Sequence, residues 1–381
     1  MSCYSALRPA LFLLPPEKAH RAAIRALQLG LAPQSNFSHA SLSTTVNGLS
    51  FANPVGLAAG FDKNAECFEA SLKAGFGFVE IGTVTPRAQL GNPTPRVFRL
   101  VEQQALINRL GFNNEGVEAA VARLSKRPIN SRVALYGASR SAANEGEAAA
   151  GGIFPPRERS SLSNIVGGNI GKNKETVDAV ADYTVAMRAL YPLVNYMTVN
   201  ISSPNTPGLR SLQAGDELRG LVKALHALRD ELGGEPKPIW VKIAPDNDED
   251  ALATIAAVAR EEHIDALIVS NTTISREGVE ASAWAGEQGG LSGKPLLEKS
   301  TTTLRRMYQL TEGKIPLIGV GGIASAEDAY AKIRAGASLV QLYTALIYQG
   351  FGLVENINRG LVELLAHDGF TSVADAVGID T

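Results

Sequence analysis

The sequence predicts an α/β protein built as a (β/α)8 TIM barrel, with an N-terminal helical appendage and a short β-hairpin at the barrel bottom. Three observations predict it. From about residue 46 onward, eight short apolar runs recur along the chain. A helical segment follows each run, and the runs end in Gly, Asn, Lys, Ser or Thr, the eighth in Tyr343-Thr344. Continuous apolar strands, as opposed to alternating ones, imply a parallel sheet covered on both faces. Eight such units point to a closed barrel, whose chemistry sits at the C-terminal ends of its strands. A doubly wound open sheet is the alternative. It would normally carry a Gly-x-Gly-x-x-Gly turn after its first strand, and Gly56 to Gly60 does not supply one.

Residues 1–40 read as the helical appendage. Leu11-Phe12-Leu13-Leu14-Pro15-Pro16 is too short for a signal peptide and shows no clear cleavage site. Glu17 to Leu31 has a helical pattern with Lys18, Arg21 and Arg25 among its alanines and leucines. Two readings stay open for it, an ordinary packing helix and one lying on a membrane surface. Residues 43–52 read as a hairpin turned by Asn47-Gly48, placed to close the barrel bottom.

The barrel occupies residues 41–381. Its expected strands are Val55–Ala59, Phe78–Ile81, Ile165–Val166, Tyr196–Val199, Ile239–Val241, Ala266–Val269, Pro316–Val320 and Leu339–Leu342. One segment, 138–164, lacks sustained periodicity and is rich in Ala, Gly, Ser and Glu. It reads as a flexible insertion before the third strand.

Composition excludes several function classes. The 381 residues carry a formal net charge of −2, and near-neutral charge argues against nucleic-acid binding, which usually needs a basic face. Two cysteines make no disulfide framework, and the five histidines lack metal-ligand spacing. No apolar run reaches the roughly 18–20 residues that span a bilayer.

The chemistry concentrates after the fourth strand, in Asn200-Ile201-Ser202-Ser203-Pro204-Asn205-Thr206-Pro207-Gly208-Leu209-Arg210. Amides and hydroxyls follow a buried strand, held by two prolines. The stretch contains no Asp, Glu, His or Cys, so a base within it would have to be a hydroxyl. A serine beside proline also forms ordinary turns, and an asparagine at a strand end is commonly a cap.

Several segments, in order and over nearly the whole chain, resemble the dihydroorotate dehydrogenase family. They include Ala58 to Lys63, Glu80 to Pro86, Asn108 to Asn114, Asn169 to Lys174 and Asn200 to Arg210. Val241 to Asp246, Ser270 to Thr273, Gly289 to Gly293 and Val320 to Ile323 complete the set. Ser203 stands where the family's membrane-associated class 2 enzymes have their base and the soluble class 1 enzymes a cysteine. The helical appendage also resembles class 2.

The resemblance implies oxidation of (S)-dihydroorotate to orotate with one FMN per chain and a quinone, ubiquinone or menaquinone, as acceptor. This is a step of de novo pyrimidine (UMP) biosynthesis. It implies Ser203 as base, with Thr206 and Phe112 flanking its proton path. Substrate would be held by Lys63, Asn108, Arg109, Leu110, Gly111, Phe112, Asn200, Asn205, Asn271 and Thr272. Asparagine suits this task, since its amide offers a donor and an acceptor to a planar amide edge. FMN would lie against Ala59, Gly60, Lys63, Thr83, Asn169, Asn200, Lys242 and Ser270. Gly293, Gly321, Gly322, Tyr343 and Thr344 would cradle its phosphate, and Lys242 would face its reduced ring. His20, Arg99 and Tyr343 would border the quinone. No metal is implied. A monomer bound peripherally to the cytoplasmic face of the cell membrane is expected. Two other readings remain: an FMN barrel using fumarate or a nicotinamide as acceptor, and a non-catalytic barrel scaffold.

Overall fold

A computed structural model of the chain describes residues 3–127 and 164–381. The expected insertion at 138–164 therefore lies outside the described residues, apart from Asn164. Eight parallel strands close on themselves in sequence order. They are Val55–Leu57, Phe78–Val84, Ile165–Ile170, Tyr196–Asn200, Ile239–Ile243, Ala266–Val269, Leu317–Val320 and Ala337–Leu342. Every residue of the first six strands is buried. That explains why their sequences run apolar without alternation: side chains inside the barrel and outside it are both covered. The main core lies between the strands and the surrounding helices and includes Val79, Ile81, Val166, Met197, Val241 and Leu267.

The hairpin forms as expected from Thr44–Val46 and Leu49–Phe51. Its turn residues Asn47 and Gly48 have φ of 50° and 77°, the positive values that a tight two-residue hairpin turn needs. Asn47 also fixes the hairpin beneath the barrel. Its amide nitrogen donates to the Asp265 carbonyl at 2.8 Å, and its Oδ1 accepts from the Trp240 indole at 3.0 Å. Val46, Leu49 and Phe51 then fill the lower barrel with Phe78, Tyr196 and Trp240. The barrel bottom is therefore plugged, and only its upper mouth is open to chemistry.

Three details differ from the sequence expectation. The second and third strands run further than their apolar runs, to Val84 and Ile170, because the ladder continues past a register shift between Ile81 and Val84. Gly82-Thr83 and Gly168-Asn169 thus lie inside strands. A second, antiparallel sheet stands over the mouth, built from Val97–Leu100, Ala105–Asn108 and Gly290–Gly293. Asn108 ends one of its strands and not a barrel strand. The helix expected over Glu17 to Leu31 ends sooner, at Gln28.

The appendage consists of helices α1 (Cys3–Leu13) and α2 (Pro16–Gln28). Pro16 opens α2 at a position where a missing N–H costs nothing. Gly30, with φ of 74°, turns the chain out of it. Ile24 and Leu27 are its buried residues. Arg96 pairs with Glu17 at 2.8 Å, and Arg21 with Glu66 at 2.9 Å. Tyr4 Oη donates to the Ile347 carbonyl at 2.7 Å. Arg99 donates to the carbonyls of Phe12 and Leu14, capping the end of α1. Among the described residues, no helix is long and apolar enough to cross a membrane.

Candidate active site

One cavity of about 1360 Å³ runs from the appendage to the loop after the fourth strand. It exceeds the ~300–1,000 Å³ of an ordinary small-molecule pocket, so it has room for more than one ligand. Its two ends differ in chemistry. Leu7, Leu11, Phe12, Ala19, Ala23 and Leu27 line one end, and Lys63, Asn108, Asn200, Ser203, Asn205, Asn271 and Thr272 line the other.

At the polar end, a hydrogen-bond chain circles the barrel rim. It begins on Glu80, a fully buried carboxylate inside the second strand. Glu80 accepts from Asn169 Nδ2 at 2.8 Å, Thr198 Oγ1 at 2.9 Å, Gln341 Nε2 at 3.0 Å and Tyr196 Oη at 3.2 Å. With its amide nitrogen held there, Asn169 turns Oδ1 outward to accept from Thr83 Oγ1 at 2.6 Å. Asn200 Nδ2 donates to Thr83 Oγ1 at 3.0 Å. Asn200 Oδ1 in turn accepts from Asn271 Nδ2 at 3.2 Å and from Ser202 Oγ at 3.2 Å. Asn271 Oδ1 accepts from the Thr272 amide at 2.8 Å. Five barrel strands are thereby locked into one donor–acceptor network, and Glu80, which accepts from four side chains, sets its direction.

Ser203 lies at the cavity wall, 6% exposed, with Oγ accepting the Asn205 amide at 3.2 Å. Asn205 Nδ2 donates to the Asn108 carbonyl at 3.2 Å, which joins the serine loop to the small sheet above the mouth. Lys63 Nζ donates to Asn113 Oδ1 at 2.8 Å. Burial lowers the Lys63 pKa to about 8, with Glu17 opposing the shift and Arg96 and Arg21 adding to it. Burial also lowers the pKa of Lys242, at the end of the fifth strand, while Glu80 favours its charge.

Glycines shape the opposite wall. Gly321, with φ of 114°, packs so closely that a Cβ there would come within 2.9 Å of Ser300 Oγ. A Cβ at Gly322 would lie 2.4 Å from Leu297 Cα, at the start of the helix Leu297–Leu310. Only glycine lets the backbone approach that helix start, where N–H groups favour an anion. Gly293 and Thr344 border the same corner, with Thr344 Oγ1 donating to Ser292 Oγ at 2.9 Å.

At the apolar end, the His20 ring meets Phe61 edge-on at 5.2 Å and Tyr343 at 6.4 Å. Burial, with Lys63 and Arg21 nearby, lowers its pKa to about 3, so the imidazole is neutral. Arg99 lines this end, its guanidinium 4.8 Å from the centre of the Phe12 ring.

Most residues singled out in the sequence converge on this cavity. Ala59, Gly60, Leu110, Gly111, Phe112 and Ser270 also line it. Three stand back from it. Asn169 is buried behind Thr83 and Asn200. Thr206 is buried within the serine loop, where its carbonyl accepts the Leu209 amide at 3.2 Å. Arg109 turns away, paired with Glu287 at 2.5 Å and stacked on Phe98. Phe112 sits in the loop beyond the small sheet and not at a barrel strand end. Glu80, the acceptor on which the rim hydrogen bonds converge, is a residue that the sequence reading missed. A lone acid inside an otherwise apolar strand was the available signal.

A family model for dihydroorotate dehydrogenase matches residues 41–365. The chain belongs to the dihydroorotate dehydrogenase family. Its relatives put it in the quinone-dependent class 2. A dihydroorotate dehydrogenase (quinone) of Parvibaculum lavamentivorans is 50% identical over 381 residues, covering 100% of this chain and 99% of that one. One of Rhizobium etli is 50% identical over 372 residues, covering 97% and 94%. Among solved structures, a ligand-free DHODH of Eimeria tenella superposes with a TM-score of 0.86 at 40% identity, covering 96% of this chain and 99% of that one. The Eimeria tenella DHODH in complex with ferulenol gives 0.85 at 39% identity, with 96% and 95% covered. The family match begins at residue 41, just after the appendage, whereas the Parvibaculum lavamentivorans relative covers the whole chain, helices included.

Proposed function

We propose that the chain oxidises dihydroorotate to orotate with FMN, passes the electrons to a quinone and so serves pyrimidine biosynthesis. The observation that carries this reading is the two-ended cavity: an end at the barrel mouth lined by amides, hydroxyls and lysines, continuous with an apolar end under two helices. Residues 1–40 form the quinone-side unit, and residues 41–381 the FMN-binding barrel.

The residues present fit FMN. The Gly321-Gly322 backbone at the start of the helix Leu297–Leu310, with Gly293, Tyr343 and Thr344, forms a corner for a phosphate. Ala59, Gly60, Thr83, Asn200 and Ser270 would border its ring, with Asn169 supporting them, and Lys242 would favour its reduced, anionic form. When bound, FMN would supply the two-electron acceptor that takes the hydride and hands the electrons on to the quinone.

The protein's own part is binding, orientation and a proton. Lys63 pairs with the substrate carboxylate, and the amides of Asn108, Asn200, Asn205 and Asn271, with Thr272, read the ring edges. Leu110, Gly111 and Phe112 close over the ring, and Arg109 fastens their loop from outside. Ser203 Oγ takes the ring proton. A hydroxyl is a weak base, so it needs help: its own proton leaves past Thr206 and Phe112 to water as the ring proton arrives, and the Asn205 N–H stabilises the negative charge this leaves on Oγ. The exposed Leu13, Leu29 and Leu31 around the helices suit a peripheral hold on the cytoplasmic face of a membrane. A single chain holds every group named, which fits a monomer.

Stopped-flow flavin reduction tests the reading. Ser203→Ala should slow reduction by dihydroorotate about 10²- to 10⁴-fold, the usual worth of a general base, while FMN stays bound. Near-normal reduction would sink the base assignment. A colourless protein that cannot be reconstituted with FMN would sink the flavin assignment.

A further inference from the structure

Arg210, at the end of the serine loop, has no part in the chemistry above, yet it ties together three loops of the barrel mouth. Its Nε donates to the Ser202 carbonyl at 3.1 Å, one of its terminal nitrogens to Asp246 Oδ2 at 3.2 Å and the other to the Thr272 carbonyl at 3.3 Å. Ser202 O belongs to the peptide that leads into Ser203. Thr272 O belongs to the peptide just beyond Asn271 and Thr272.

Asp246 follows the fifth strand and is the seat of this arrangement. Beyond Arg210 it accepts from Thr273 Oγ1 and from the Ile274 amide at 3.0 Å, and it pairs with the Lys299 ammonium at 3.3 Å. Its side chain is 11% exposed and that of Arg210 25%. A half-buried pair with so many fixed partners differs from a solvated surface ion pair, which contributes little. The guanidinium is a rigid planar fork, so it fixes its acceptors relative to one another, which a lysine ammonium cannot do.

We propose that Arg210, seated on Asp246, is the positioning residue that sets Ser203 against the Asn271–Thr272 edge. This rests on the reading of Ser203 as the base. Arg210 does not line the cavity. It acts by holding the two peptides between which the reacting carbon must sit, and a misplacement of about 1 Å there can cost about 10²-fold in rate.

The test is a double-mutant cycle on the full-length, flavin-loaded enzyme, read by stopped flow. Arg210→Lys should slow flavin reduction by dihydroorotate about ten- to a hundredfold. Flavin content and reoxidation of the reduced enzyme by quinone should stay within twofold of wild type. In a Ser203→Ala background the same change should cost less than about twofold, because there is no longer a base to position. Asp246→Asn, which keeps the shape and removes the charge, should follow the same pattern and serves if Arg210→Lys does not fold. Equal losses in reduction and reoxidation, additive losses with Ser203→Ala, or normal reduction in both variants would overturn the proposal. Near-normal reduction in Ser203→Ala alone would instead overturn the base assignment, and the positioning role with it.

Discussion

In the proposed reaction the two ends of the cavity would handle different particles, and their construction differs. The barrel mouth is built from strand ends and short loops whose amides and hydroxyls are tied to one another and, through Glu80, to the barrel interior. The helical end is built from side chains that ask only for an apolar surface, with neutral His20 at its edge. Proton removal from carbon needs groups held to fractions of an ångström, and rigid strands supply that. Electron delivery to an apolar acceptor would need access and exclusion of water, a task that suits the two helices. Changes at one end should therefore spare the reaction at the other.

Removing residues 1–35 is the strongest way to break that separation. The cut removes α1, α2 and the Glu17–Arg96 pair, and exposes Phe61 and Tyr343. Turnover with a long-chain quinone and binding to vesicles should fall by at least an order of magnitude. Single-turnover reduction of the flavin by dihydroorotate should stay within a few-fold of the intact enzyme. If both half-reactions collapse together, the helices hold the barrel fold and the two ends are one unit.

Lys63 gives an intermediate effect and a pH signature. Its ammonium would lose its charge as pH rises through about 8. An anionic substrate favours the protonated lysine, so affinity is full below that pH and falls toward tenfold per unit above it. A charge-assisted hydrogen bond is worth about 1.5–3 kcal/mol. Lys63→Met should therefore weaken orotate binding about ten- to a hundredfold at neutral pH and flatten its dependence on pH. Titrations of orotate binding between pH 6.5 and 9.5 check both. An unchanged slope in the variant would assign the titration to another group.

The barrel was legible because its strands are buried on both faces, which leaves apolar runs such as Tyr196 to Val199 with little ambiguity. The hairpin was legible because Asn47-Gly48 is a local turn signal. The small sheet was not. Val97–Leu100 is a short, half-buried strand, and Ala105–Asn108 pairs with Gly290–Gly293, far along the chain. Nothing local encodes such a pairing. The site shows the same division. Ser203, Lys63 and Asn271 sit in motifs that carry their meaning with them. Glu80 matters through Asn169, Thr198 and Gln341, and Arg210 through Asp246 and Thr272, all partners that only the closed barrel brings together. The inward turn of Asn108 and the outward turn of Arg109 come from adjacent residues of one strand end, where alternation alone does not say which side faces the substrate.

His20 offers the mildest and sharpest probe of the apolar end. Held between Phe61 and Tyr343, with a pKa near 3, it carries no charge at any pH where the enzyme would be assayed. It can contribute a ring face and at most one neutral hydrogen bond, worth about 0.5–1.5 kcal/mol. His20→Phe keeps the ring and should change quinone turnover about two- to tenfold at most. The dependence of reoxidation on pH between 5 and 8 should be the same in both proteins. Flavin reduction by dihydroorotate should not change. A titration in that range that disappears with His20 would mean the imidazole is protonated in use, and that the helical end moves protons as well as electrons.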